Sequence, residues 1–311
     1  MISRKARNRK KLISFFMRLV VLLKPGSLSL FQIRIIRKLV LIASLRRLSV
    51  KNVIIEKITL DRLELYRIKP NKLLDEKKIL FFHGGGFFIG NIKIYRNYVS
   101  FLAKLLRREI IFVEYKLGPE SKYPSQIEDA KKAYSFLLEK EEKPNIILAG
   151  DSAGGNLALS LFLALEKENC KKPMGIFCIS PWVNPTELLA EYPDSFCESD
   201  VLIGPFIKRA KETGSGPISH LYCNDSDQIN ALISPLFGDF HNSPPIMIQY
   251  SEKEVLSIQI EQFLKRLKKQ KVRVQTIVWK DLWHDFQLET DLSETKKSFA
   301  LFKDFLDELP S

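Results

Sequence analysis

In Gly150-Asp151-Ser152-Ala153-Gly154-Gly155-Asn156 a serine flanked by glycines stands between an apolar run and a helical pattern. Asn145-Ile146-Ile147-Leu148-Ala149 ahead of it reads as a buried strand, and residues 156–163 after it read as a helix. So tight a strand-to-helix turn admits only small residues at its flanks, and it holds the serine hydroxyl exposed at the top of a sheet. That is the setting of an activated nucleophile. The bare Gly-x-Ser-x-Gly pattern arises by chance in roughly one chain in ten of this length, so the context carries the reading. A second glycine run, His83-Gly84-Gly85-Gly86-Phe87, adds to that context by closing another strand-like run, Lys78-Ile79-Leu80-Phe81-Phe82.

Attack on an acyl carbon also needs a base, a group to orient the base, and donors for the oxyanion. On a sheet of this kind the three side chains follow the order Ser, Asp or Glu, His along the chain. Of the four histidines, His83 precedes the serine and belongs to the other glycine loop. His220 and His241 lie in Pro-, Gly-, Ser- and Asn-rich sequence with no strand ahead of them. His284 follows the alternating run 272–278 and precedes a closing helical pattern over 292–309, which is where the base belongs. For the acid, the strand 245–250 runs into Ser251-Glu252-Lys253-Glu254-Val255-Leu256. Both glutamates sit at its C-terminal end, where the working groups of open α/β sheets collect, and position alone does not choose between them.

The elements that must hold these groups alternate. Strand-like runs are interleaved with helical patterns at 95–108, 125–140, 156–168 and 255–269, which predicts a mostly parallel sheet covered by helices. The length of 311 residues and 45% hydrophobic content suit one large α/β domain with an elaboration. Between 184 and 235 the alternation fails and Pro, Gly, Ser and Asn accumulate, the mark of an inserted lid or cap.

Taken together, His-Gly-Gly-Gly-Phe before Gly-Asp-Ser-Ala-Gly-Gly-Asn resembles the hormone-sensitive lipase family of α/β-hydrolases, also called the bacterial type IV esterases. Glu114-Tyr115-Lys116-Leu117-Gly118-Pro119-Glu120, Tyr123-Pro124, Ser180-Pro181-Trp182-Val183 and Ile233-Ser234-Pro235-Leu236 follow in family order, so the likeness spans about residues 50–305. It implies an α/β-hydrolase fold with a mostly parallel central sheet flanked by helices and a helical cap. The expected division is a basic N-terminal cap segment (1–50), a first part of the core (51–183), a cap insertion (184–235) and a second part of the core (236–311). It further implies Ser152 as nucleophile, His284 as base and Glu254 as acid. Backbone amides of Gly84, Gly85 and Ala153 would line the oxyanion hole, with His83 bracing the glycine loop and Asp151 in support. Tyr250-Ser251 and Ser257 depart from the family pattern around the acid. The expected activity is serine carboxylesterase chemistry on short- to medium-chain acyl esters. The same machinery serves amide or N-acyl hydrolysis. Small-molecule receptors that resemble this family lack the histidine, which this chain has at 284.

Charge is unevenly placed. Thirteen of the 49 Lys and Arg residues lie in residues 1–50 with no acid among them, which leaves 36 bases against 36 acids in the rest. A neutral body argues against nucleic acid as a partner. The apolar stretch 12–23 is broken by Arg18 and falls short of the roughly twenty residues a membrane span requires. No small-residue cleavage site follows it, as a signal peptide would need, although an Arg-rich, acid-free start also suits an organellar presequence. Leu28, Phe31, Ile35, Leu39 and Ile42 recur at helical spacing among basic residues, as in a helix that covers the site or lies on anionic membrane. Four cysteines without metal spacing read as free thiols in a reducing compartment, so a cytoplasmic, peripherally membrane-associated protein is expected. Neither glycine loop has the ending of a phosphate loop or the full dinucleotide fingerprint, and no cofactor or metal is expected.

Overall fold

A computed structural model describes residues 2–21, 29–44, 50–140, 145–187, 192–213, 218–224 and 229–310. Lys24, Arg46, Arg47 and parts of the 184–235 insertion therefore lie outside the described residues. Eight strands form one sheet in the order β1-β2-β4-β3-β5-β6-β7-β8. They are β1 (Val53–Leu60), β2 (Leu63–Pro70), β3 (Lys78–Phe82), β4 (Glu109–Glu114), β5 (Ile146–Asp151), β6 (Gly175–Ile179), β7 (Ile246–Ser251) and β8 (Val274–Trp279). From β4 to β8 every pairing is parallel, while β2 runs antiparallel to both β1 and β4.

Strands β3, β5, β6 and β7 are buried over almost their whole length, because helices cover both faces. Buried on both sides, such strands need continuous apolar runs, which is why they stand out in the sequence. Alternate residues feed opposite layers. Leu80, Phe82, Leu148, Ile176 and Ile248 pack towards α4 (Ser125–Lys140), α5 (Ala153–Lys167) and α8 (Ser257–Lys269). Ile79, Phe81, Ile147, Phe177 and Met247 pack towards α3 (Ile92–Leu106) and α9 (Ser293–Glu308). Each fully buried Phe or Ile contributes roughly 1.5–3 kcal/mol relative to an exposed one. The helix expected over 95–108 begins three residues earlier, because the Asn91 side chain accepts from the Ile94 N–H at 3.0 Å and caps it.

The strand order reverses at β3. The chain leaves β3 for β4 on one side and then crosses to β5 on the other, so the loops after β3 and β5 diverge and leave a crevice at their C-terminal ends. Both glycine loops open into that crevice.

Helices from the two segments expected to form a cap pack on the loops at this end of the sheet. The N-terminal segment supplies α1 (Arg4–Val21) and α2 (Leu30–Ser44), and the insertion supplies α6 (Asp194–Ser199) and α7 (Gly204–Thr213). Helix α1 packs Ala6 and Ile13 against Leu282, Trp283 and Phe286, the loop that carries His284. Helix α2 packs Ile33 against Phe88 and Leu221. Arg37 of α2 then donates to Phe88 O at 2.7 Å, to Gly118 O at 2.8 Å, and to both carboxylate oxygens of Glu120. That fork latches α2 onto the segment after the glycine run. Among the described residues no helix is long and apolar enough to cross a membrane.

Candidate active site

Ser152 occupies the step between β5 and α5 with φ 52° and ψ −117°. A non-glycine residue in this region costs roughly 1–3 kcal/mol, and surrounding bonds must hold it there. Its N–H donates to Ile179 O at 2.8 Å, and its carbonyl accepts from Asn156 N at 3.1 Å and Trp182 N at 3.0 Å. The flanking glycines are required by close approach. A Cβ on Gly154 would lie 2.0 Å from Phe82 O, and one on Gly150 would lie 2.3 Å from the Gly154 backbone. Asn156 extends the scaffold by donating from Nδ2 to Trp182 O (2.7 Å) and Ile233 O (2.8 Å), which ties together three of the sequence blocks that carry the family resemblance. Ser152 as a whole is 8% exposed.

His284 is buried in the loop after β8. Its Nδ1 lies 3.4 Å from Glu254 Oε1, and its Nε2 lies 3.1 Å from Asp285 Oδ2. Glu254 is fully buried, and its Oε2 accepts from Ser180 Oγ at 2.8 Å and from Ser251 N at 3.0 Å. The loop is fixed from three further directions. Ser251 Oγ donates to Leu282 O at 2.8 Å, Ser257 Oγ to Glu254 O at 2.7 Å, and Val255 N to Asp200 Oδ2 at 3.1 Å. Glu252, only partly buried, donates its backbone N–H to Trp279 O at 2.9 Å. Of the two glutamates, the structure brings Glu254 to the histidine.

Four carboxylates gather around this imidazole. Burial disfavours the His284 cation, but Asp285 and Glu254 outweigh it and hold the ring well above its ordinary range. Burial pushes Asp285 up to about 6 against the pull of His284. It raises Asp151 well above the carboxylate range, with the Asp285 charge adding to the effect, and it raises Asp200 as well.

The glycine loop does not leave its three amides alike. The Gly84 N–H donates to Tyr95 Oη at 3.0 Å, and that hydroxyl donates to Asp151 Oδ2 at 2.6 Å. An amide already spent on a buried tyrosine is not a preformed oxyanion donor. The amides of Gly85, Gly86 and Ala153 make no hydrogen bond among the described residues. Gly85 and Gly86 both adopt positive φ, 104° and 61°. His83 is fully buried, 4.2 Å from Tyr115 in stacked geometry, and its Nδ1 bonds to Gly84 O at 2.8 Å. Burial lowers it to about 4, so it is a neutral brace for the loop. Asp151 supports the same loop through Tyr95.

Sequence reasoning missed Tyr95, Ser180, Asp200 and Asp285 as members of this cluster. Ser180 lay inside a recognised block, and Asp285 is the neighbour of His284. What no pattern announces is the left-handed φ of 52° at Asp285, the turn that accompanies its approach to its neighbour's ring. Among the described residues no group of three or more His, Cys, Asp or Glu is placed to hold a metal ion.

Known proteins agree with this architecture. A family model for the α/β hydrolase fold matches residues 79–288. An esterase from Acinetobacter venetianus is 31% identical over 233 residues, covering 74% of this chain and 75% of the relative. The putative acetyl-hydrolase LipR of Mycobacterium tuberculosis is 26% identical over 239 residues, covering 76% and 74%. Among solved structures, an esterase from the bacterial hormone-sensitive lipase family superposes with a TM-score of 0.84 at 24% identity over 99% of each chain. The chain belongs to the α/β-hydrolase fold family and, with esterase relatives and the motifs of the hormone-sensitive lipase family, is a carboxylic ester hydrolase.

Proposed function

We propose that the chain hydrolyses short- to medium-chain acyl esters through an acyl-enzyme on Ser152, with His284 as base and Glu254 as its orienting acid. What supports this reading is the buried Glu254–His284 pair, tied through Ser180 Oγ to the strand end that also accepts the Ser152 N–H, with Ser152 held at strained φ. In the first half-reaction Ser152 Oγ attacks the ester carbonyl carbon and its proton passes to His284 Nε2. The carbonyl electron pair moves onto oxygen, where amides of Gly85, Gly86 and Ala153 stabilise it. Each such donor contributes about 3–4 kcal/mol in the transition state. Collapse expels the alcohol with the proton held by His284. Water, deprotonated by the same ring, then releases the acid and restores Ser152. Glu254 keeps the Nδ1 proton in place and stabilises the transient cation.

The acyl-chain preference rests on the cap. In this reading helices α1, α2, α6 and α7, which pack on the loops at this end of the sheet, limit the room for the acyl chain. Relatives named acetyl-hydrolase support a small acyl group. In a panel of aryl esters from acetyl to palmitoyl, kcat/KM peaks between acetyl and octanoyl. Peak activity on long-chain triacylglycerol at an oil–water interface would overturn this reading.

Asp285 shapes the pH response. A base must be neutral to accept the serine proton, and Asp285 at 3.1 Å from Nε2 favours the charged ring. A group whose pKa is raised by a partner loses that shift when the partner goes. The acid limb of kcat/KM therefore moves to lower pH in Asp285→Asn. A limb that stays in place or moves upward would show that Asp285 does not govern the charge on His284.

A further inference from the structure

Of the helical stripe Leu28, Phe31, Ile35, Leu39 and Ile42, which the sequence presents as a face that covers the site or lies on anionic membrane, Phe31, Leu39 and Ile42 point to solvent, Ile35 is half-buried and Leu28 lies outside the described residues. Phe31 is 72% exposed, and Leu39 and Ile42 are each more than two-fifths exposed. The helix meets the body through Ile33, Ile36 and Arg37 instead. Helix α1 is built the same way. Its inner side seats Ala6 and Ile13, while Leu12, Phe15 and Phe16 are outside, Phe15 at 61% exposure. Of the thirteen large hydrophobic residues exposed among the described residues, seven lie on these two helices. Isolated exposed leucines need no explanation, but outward apolar stripes on two successive helices do.

The cations on the same helices divide into two sets. Lys5 and Arg9 bind Asp291 and Glu289, and Lys10 donates to Asp281 O, so these three fasten α1 to the body. Arg4, Lys11, Arg18 and Lys38 make no ion pair among the described residues and stand exposed. No acid stands anywhere in residues 1–50, so the two helices themselves supply no counter-charge. Apolar side chains flanked by unpaired cations on a surface helix match a bilayer interface, where the apolar groups enter the acyl boundary and the cations meet anionic headgroups. A second copy of this chain would bring the same positive charge against itself.

We infer that the outward faces of α1 and α2, with Leu12, Phe15, Phe16 and Phe31 among Lys11, Arg18 and Lys38, form a docking surface for anionic lipid bilayer. The inner sides of these helices rest on Trp283 and Phe88, so docking sets the loops of the proposed site beside the membrane. The docking surface stands whether or not the reaction proposed above is correct, and its test reads binding alone.

The test is co-sedimentation of the full chain with phosphatidylcholine vesicles and with vesicles containing phosphatidylglycerol, at low and high salt. The full chain sediments with phosphatidylglycerol vesicles at low salt and comes off at high salt, because the headgroup attraction is screened over about 8 Å at physiological ionic strength. Replacing Lys11, Arg18 and Lys38 together by Gln lowers the partition coefficient about a hundredfold, at roughly fivefold per cation. Phe15→Ser with Phe31→Ser lowers it at least tenfold and leaves hydrolysis of a water-soluble aryl ester unchanged. All five positions are exposed, and circular dichroism verifies that each variant folds. Failure of the full chain to bind phosphatidylglycerol vesicles at low salt overturns the proposal, as does wild-type binding by both variants. So does a dimer in solution that the Phe15→Ser, Phe31→Ser variant converts to monomer while the wild type ignores vesicles, because the face then serves a second copy.

Discussion

Ser152→Ala lowers kcat for a short aryl ester by about six orders of magnitude, the loss seen when the serine of a comparable serine-hydrolase triad is removed. The loss is this large because serine, histidine and acid act as a unit. Without Oγ no acyl-enzyme forms, and only the oxyanion donors and binding remain, worth about 10³–10⁴ over water. The variant folds. Alanine has the same positive-φ penalty as serine at this step, and the position is fixed by backbone bonds to Ile179, Asn156 and Trp182 that the substitution leaves intact. A melting temperature close to wild type together with the lost turnover is the expected pair of results. A folded Ser152→Ala protein that retains a tenth of its ester turnover would remove Ser152 from the chemistry.

How much of this was visible in the chain depends on what each group leans on. The turn at Ser152 and the loop position of His284 were legible because local features bracket them. The serine stands in a strand–turn–helix whose glycines answer to backbone contacts within a few residues and with Phe82, and the histidine follows the last strand. Strands β3, β5 and β7 were legible because burial on both faces demands unbroken apolar sequence. The β1–β2 hairpin was not. At the sheet edge β1 is half-exposed, and Glu56 and Lys57 interrupt its apolar residues, so nothing in Val53–Leu60 distinguishes a strand from a loop without its partner. The glycine run is opaque for a related reason. Three consecutive glycines look alike, and the one whose amide is consumed is decided by Tyr95, eleven residues downstream. On α2 the periodic stripe was read correctly as a helix, but periodicity cannot say which face turns inward. Ile33, Ile36 and Arg37 decide that through the loops they grip.

The acid shows the same dependence, and it yields the second large effect. Glu254→Gln lowers kcat/KM by about four orders of magnitude, while Glu252→Gln stays within a few-fold of wild type. Two donors, Ser180 Oγ and Ser251 N, point at Glu254 Oε2. In the glutamine variant both require the amide oxygen at that position, which places the NH₂ group where Oε1 faces His284 Nδ1. An N–H donor there forces Nδ1 to be the acceptor and moves the imidazole proton to Nε2. That tautomer cannot take the proton from Ser152. The geometry of the loop survives and the chemistry does not, so the loss appears in turnover while the melting temperature changes little. Glu252 has no comparable position, since its contribution to the loop is the backbone N–H given to Trp279 O. The contrast between neighbouring carboxylates makes the prediction sharp. Ser180→Ala releases one of the two donors that fix the amide, so in combination with Glu254→Gln it lets the side chain flip and recovers part of the lost activity. Equal losses in the two glutamine variants, or a greater loss at Glu252, would mean that the turn after β7 presents a different carboxylate to His284 during catalysis.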